Sequence, residues 1–146
     1  MSGGAFRAVV AVCACYAGAT GSLSAVKIEI DYSLDSGGFF EQPGSKEAMR
    51  AVCDYFETIL TDNLARIDTA EWTGETWERR FFHPSTGEET LLPGIVVPED
   101  TIILYVGGRN LGTTLGVGGP GGYRAGGSGG DAQAWFDLLR SRGQMG

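Results

Sequence analysis

The sequence predicts an α/β fold of the α+β kind: one long helix, a hairpin, a glycine-rich loop and a C-terminal helix set around a small sheet. Three observations carry that expectation. Val26–Ser33 alternates, with Val26, Ile28, Ile30 and Tyr32 on one face and Lys27, Glu29 and Asp31 on the other, the period of a half-buried strand. From Met49 onward apolar residues recur every three or four positions, the period of a helix lying on a sheet. Thr101–Val106 is a nearly continuous apolar run, which suits a strand in the middle of a sheet.

The chain opens on Met1–Ala25, which holds no acid and one base, Arg7, followed by the small apolar run Ala8–Ala19. This is the pattern of a secretory signal peptide, cleaved after Ala19 at the small-x-small site Ala17-Gly18-Ala19, or after Ala25. The run is too short to span a bilayer, which needs roughly 20 apolar residues. A buried first strand built on Val9, Val10 and Val12 is the competing reading. Residues 26–146 are then expected to form one domain, exported to the medium or the cell envelope.

After the first strand, Asp35-Ser-Gly-Gly38 breaks the pattern, and Pro43-Gly44-Ser45 leads into a helix with Ser45 as N-cap and Lys46 as its first residue. Met49, Val52, Cys53, Phe56, Ile59, Leu60 and Ile67 form its apolar stripe. Cys53 belongs to that stripe, so it reads as a buried apolar thiol rather than a nucleophile. Trp77–Phe82, the turn Pro84-Ser-Thr-Gly87 and Glu88–Val97 form the hairpin. Of the 24 glycines, 12 fall within Gly107–Gly130, too many for a helix or strand, so the stretch reads as a loop throughout. Asp131 can cap a last helix, Ala132–Arg142, that Gly143 stops.

Composition removes several functions. Lys and Arg number 11 against 18 Asp and Glu, and a net charge of −7 repels nucleic acid and anionic membrane surfaces. Three cysteines and one histidine, scattered from Cys13 to His83, are a poor supply for a zinc site, which takes about four ligands. Gly116-Val-Gly-Gly-Pro-Gly121 satisfies G-x-G-x-x-G, but its strand ends well upstream and no helix follows promptly, so it is no dinucleotide fingerprint. Gly126-Gly-Ser128-Gly-Gly130 satisfies G-x-S-x-G without a preceding strand, and His83 comes before the serine where the hydrolase order places it after. A triad of His83, Asp100 and Ser128 in another order stays a minor alternative. The acid pairs Glu29 and Asp31, Glu75 and Glu78, and Glu99 and Asp100 read as solvated surface charge. The Asp31–Asp35 turn is a conceivable calcium client, although the EF-hand pattern is absent.

Asp31-Tyr-Ser-Leu-Asp35 with Phe39-Phe40, the helix running into Leu60-Thr-Asp-Asn-Leu64, Tyr105-Val-Gly-Gly-Arg-Asn-Leu-Gly112, Leu115-Gly-Val-Gly-Gly-Pro-Gly-Gly122 and Arg140-Ser-Arg-Gly-Gln144 together cover most of Ile28–Gln144. In these segments the chain resembles the amino-terminal half of a family of secreted bacterial zinc metalloproteases with a metzincin-like catalytic domain. The resemblance implies a partial metzincin-like sheet and an extracellular or envelope location. In that family an edge strand for substrate and an H-E-x-x-H zinc helix come next, and this sequence stops before both. It therefore implies no catalytic, cofactor-binding or metal residue here. Zinc and a protein or peptide substrate belong to the complete domain only, and this piece alone is expected to be inactive. A stand-alone extracellular or envelope binding module on the same scaffold is the alternative.

Overall fold

The computed structural model describes residues 25–142, so the leader reading of Met1–Ala25 and the stop at Gly143 fall largely or wholly outside the described residues. The order of elements is β1 (Lys27–Asp31), α1 (Ser45–Glu57), β2 (Thr76–Phe82), β3 (Glu89–Pro93), β4 (Thr101–Tyr105), β5 (Gly122–Gly126) and α2 (Ala132–Arg142), with short 3₁₀ turns at Phe39–Glu41 and Thr69–Glu71. The fold is mixed α+β. Its strands form two sheets rather than one: a parallel pair β1-β4 and an antiparallel sheet in the order β3-β2-β5.

The helix α1 begins and ends differently from the expectation. Gly44, at φ 84°, occupies the N-cap position and Ser45 is already helical. The chain reverses after Pro43 through a left-handed backbone that glycine adopts without strain, which displaces Ser45 by one position. At the other end the helix closes at Glu57 and does not reach Ile67. Thr58 turns its hydroxyl back to donate to the Tyr55 carbonyl at 2.6 Å, and the Thr-Asp-Asn sequence that follows favours local side-chain bonds over helix. Ile67 instead forms an isolated antiparallel bridge with Val97.

The glycine-rich stretch is not a loop throughout. Gly122–Gly126 is strand β5, pairing Thr76 with Gly126 and Arg80 with Gly122 across the seam with β2. Its non-glycine residues include Tyr123, whose ring enters the core, and that burial outweighs the poor strand propensity of the flanking glycines. The hairpin is present, but β3 ends at Pro93, and the Gly94 N–H then donates to the Trp77 carbonyl at 2.9 Å.

The main core lies between the three-stranded sheet and α2. Ile67, Trp77, Val97, Tyr123, Trp135 and Leu139 are buried together, with Ile103 of β4 packed against them from the parallel pair. Across the junction of the two sheets, the Phe81 and Tyr105 rings stack at 4.7 Å and 5°. Arg79 donates to the Tyr105 hydroxyl and, at 2.7 Å, to the Pro93 carbonyl. The apolar run Thr101–Val106 forms its strand as expected. Among the described residues, however, it pairs with β1 alone and so lies at the edge of that pair and not in mid-sheet.

Candidate functional site

The fold disperses the polar candidates from the sequence and holds several of them in structural bonds. His83 follows β2, and its Nδ1 accepts from the Ser85 N–H at 3.1 Å. A strand does precede Ser128, contrary to the expectation, since β5 ends at Gly126, but the serine lies near Gly74, beyond the opposite end of β2. The seven residues from Thr76 to Phe82 separate them by roughly 20 Å at strand rise, so no triad can assemble. Asp100 accepts the Leu64 N–H at 2.9 Å on its carboxylate and faces Arg142. The three members are dispersed.

The acid pairs separate in the same way. Glu29 is bonded to Lys27 at 2.9 Å, and Asp31 accepts the Ser33 N–H at 2.7 Å. Asp35 accepts from Phe40 N–H at 2.7 Å and from Gly108 N–H at 2.9 Å, and the first of these bonds leads in holding its carboxyl below the usual carboxylate range. With both carboxylates engaged by backbone, the Asp31–Asp35 turn offers a calcium ion little. Glu78 faces Arg124 at 3.8 Å, whereas Glu75 is buried beneath the turn that leads into α2 and accepts the Gly129 N–H at 3.3 Å. The reading of Glu75 as surface charge is thereby corrected: the turn's glycines let the backbone close over it, and a Cβ at Gly127 would stand 1.6 Å from Glu75 Oε2.

The strongest segment of the family resemblance has a packing explanation. Gly107 and Gly108 thread between three neighbours, where a Cβ on the first would lie 2.6 Å from Ser85 Oγ and one on the second 2.3 Å from Phe39 Cβ. The Ser85 hydroxyl donates to the Leu34 carbonyl at 2.8 Å, so the hairpin turn, the Asp35 turn and this junction are tied together. Further along, Gly116, Gly118 and Gly119 have open space around them, and Leu115 and Val117 are exposed. The G-x-G-x-x-G stretch leads into a strand and not into a helix N-terminus.

What remains is an apolar surface on α1 and β4. Cys53 is buried against the sheet, and burial chiefly pushes its thiol pKa up, in keeping with an inert core cysteine. One flank of α1 is polar: Arg50 donates to the Ile28 carbonyl at 2.7 Å and to Glu57 at 2.6 Å, while Glu57 accepts the Ile28 N–H at 2.6 Å. These bonds take both outward peptide groups of Ile28 on β1, and the Ile28 N–H leads in lowering the Glu57 pKa, with Arg50 next. At 100° per residue, Met49, Val52 and Phe56 fall on the opposite flank, toward β4. Val52 is 52% and Phe56 44% exposed.

The floor of this surface comes from β4. Ile103 and Tyr105 face the three-stranded sheet, so Ile102 and Leu104 point to the side on which α1 covers Ile28 of β1. Among the described residues no helix covers β4 there, and Ile102 and Leu104 stay about one-third exposed. At the N-terminal end of α1, Phe39, Phe40, Ser45, Ala48, Met49 and Val52 line a shallow, open cavity of about 380 Å³. The sequence marked Met49, Val52 and Phe56 as apolar but missed that the stripe would lie half bare. The seven-residue spacing of Arg50 and Glu57, two helical turns, was the available signal that the polar flank had a task of its own.

Among the described residues, no group of three or more His, Cys, Asp or Glu side chains could hold a metal ion. No helix of the described chain is long and apolar enough to cross a membrane. No family model, curated protein or solved structure matches this chain.

Proposed function

We propose that this chain is the amino-terminal scaffold of a secreted, metzincin-like zinc endopeptidase domain, inactive by itself and exported by the leader at Met1–Ala25. The observation that carries the reading is the bare apolar surface formed by Met49, Val52 and Phe56 beside Ile102 and Leu104. A parallel pair of strands is normally covered on both faces, and among the described residues one face of β4 has no covering layer. An additional helix lying along β4 beside α1 would complete that layer. In the proposed domain this helix brings the zinc ligands and the general base, while the present residues supply its seat.

The test is to express the chain alone and joined to an H-E-x-x-H segment read from the downstream DNA, and to measure zinc after dialysis and casein cleavage. The chain alone is expected to hold no stoichiometric zinc and to leave casein intact. Restoring the segment is expected to bring one zinc and chelator-sensitive cleavage. Tightly held zinc and proteolysis by the chain alone would overturn the reading. Export is checked separately by N-terminal sequencing of protein from the medium or envelope, where an intact Met1 argues for a retained first strand. A stand-alone binding module is the second reading, supported by the closed core around Trp135, which gives the chain a stable folded half without any added segment.

A further inference from the structure

The bare strip of α1 begins where the described chain begins. The Val26 N–H donates to the Leu60 carbonyl at 3.3 Å, which sets Ala25 beside the C-terminal end of α1. Ile59 is exposed at that end, and from it the apolar strip climbs the helix through Phe56, Val52 and Met49. Ile102 and Leu104 of β4 form the other wall. A segment that enters at Ala25 thus arrives at the foot of this trough.

The sequence supplies such a segment. Ala8–Ala19 is a run of 12 residues with no charge, and its most polar group is the Tyr16 hydroxyl. As a helix it would be about 18 Å long, close to the roughly 20 Å of the 13-residue α1. Thr20–Ser24 connects it to the described chain, and five residues span up to about 17 Å, more than the 8–10 Å or so between packed helices. We propose that Ala8–Ala19, while it is attached, packs as a helix along α1 and over β4.

In that position it runs in the direction of α1 and antiparallel to β1 and β4, the arrangement of helices that cover parallel strands. Of its 12 residues, 11 are Ala, Val, Cys or Gly, small enough to sit closely against the larger Met49, Val52 and Phe56. Burying an uncharged run carries no penalty for an unpaired charge. Both expected cleavage points, after Ala19 and after Ala25, lie on the β1 side of the run, so either cut frees the whole cover. The strip is then as bare as the described residues leave it. The inference rests on the proposed function in one respect: the trough is the seat assigned there to the zinc helix, so leader and helix exclude each other and the seat stays shut until the leader is cut.

The test uses the full 146-residue chain made where no leader is removed, with the leader verified by mass. Val52→Cys and, in a separate chain, Arg124→Cys on the exposed face of β5 are each combined with Cys53→Ala and oxidised with diamide, and disulfides to Cys13 or Cys15 are mapped. Cys13 stands level with Val52 when the two helices are aligned, so that pair is expected to close at least about tenfold faster than any pair with position 124. Hydrogen exchange of the unaltered chain reads the same contact without a new thiol: the Val9–Tyr16 amides are expected to exchange at least about tenfold slower than unprotected amides. Val12→Asp is expected to abolish both signals and leave tryptophan fluorescence unchanged. Equal closure at positions 52 and 124 with unprotected leader amides would overturn the cover, as would disulfides found only between two copies or a Val12→Asp chain that closes as fast. A leader that stays off α1, in a chain that gains zinc-dependent cleavage with the restored segment, sinks the cover alone. Zinc-dependent cleavage by the 146-residue chain alone sinks the proposed function instead.

Discussion

The two helices make opposite use of their apolar faces. α2 sinks Trp135 and Leu139 completely, at 0% and 1% exposure, into a core walled by the three-stranded sheet. α1 is the more sharply amphipathic of the two, yet only Cys53 is buried on it, while Val52 and Phe56 remain about half exposed. A helix of ordinary amphipathicity is thus covered and the stronger one is left bare. Amphipathicity therefore measures how much surface a helix has to bury, and only the neighbouring layer decides whether burial happens in this chain.

The contrast breaks most visibly at Trp135. Trp135→Ala empties the closed core and loses the indole N–H bond to the Thr76 carbonyl, so urea unfolding should report a loss of about 3–5 kcal/mol. That is a large part of the stability of any small domain. Near-normal stability in this variant would mean that the α2 half is not the core.

Acid is expected to act next, on the open half. Glu57 is held ionised by the Ile28 N–H and by Arg50, so its folded pKa lies below its unfolded value. A group shifted in that direction adds stability above the ordinary carboxylate range and loses it as the pH falls through the folded pKa. Lowering the pH into and below that range should loosen α1 from β1, and Glu57→Gln should flatten this part of the profile. Cys53 supplies the probe, with Cys13 and Cys15 replaced by serine so that no other thiol reacts. The native thiol should label slowly at neutral pH, faster in acid-loosened protein returned briefly to labelling conditions, and at once after denaturation. Immediate labelling of the native chain would contradict the helix phase that buries Cys53.

The smallest expected effect sharpens the comparison. Val52→Ser on the bare flank should change stability by no more than about 0.5 kcal/mol, since half of that side chain is already in water. The same substitution should reduce the binding of an apolar dye such as ANS. A loss comparable with that of Trp135→Ala would show that Val52 is covered in solution.

Periodicity and local breaks placed β1, most of α1, the hairpin and α2, because each is patterned locally: alternation at Ile28 and Ile30, threefold and fourfold spacing at Met49, Val52, Cys53 and Phe56, and the Gly-Asp131 break before Trp135. The burial of Cys53 followed from the same phase. The strand at Gly122–Gly126 was illegible: five residues flanked by glycine acquire their conformation from pairing with β2 and from the burial of Tyr123, both long-range events. For the same reason Glu75 looked like surface charge until the Gly127–Gly130 turn closed over it. The distance between His83 and Ser128, the split of one expected sheet into two, and the edge position of β4 were likewise decided only by tertiary structure. Side-chain pattern specifies how much apolar surface each element offers, but the partner that covers it is chosen by contacts far apart in sequence, and among the described residues that choice leaves one flank of α1 half bare.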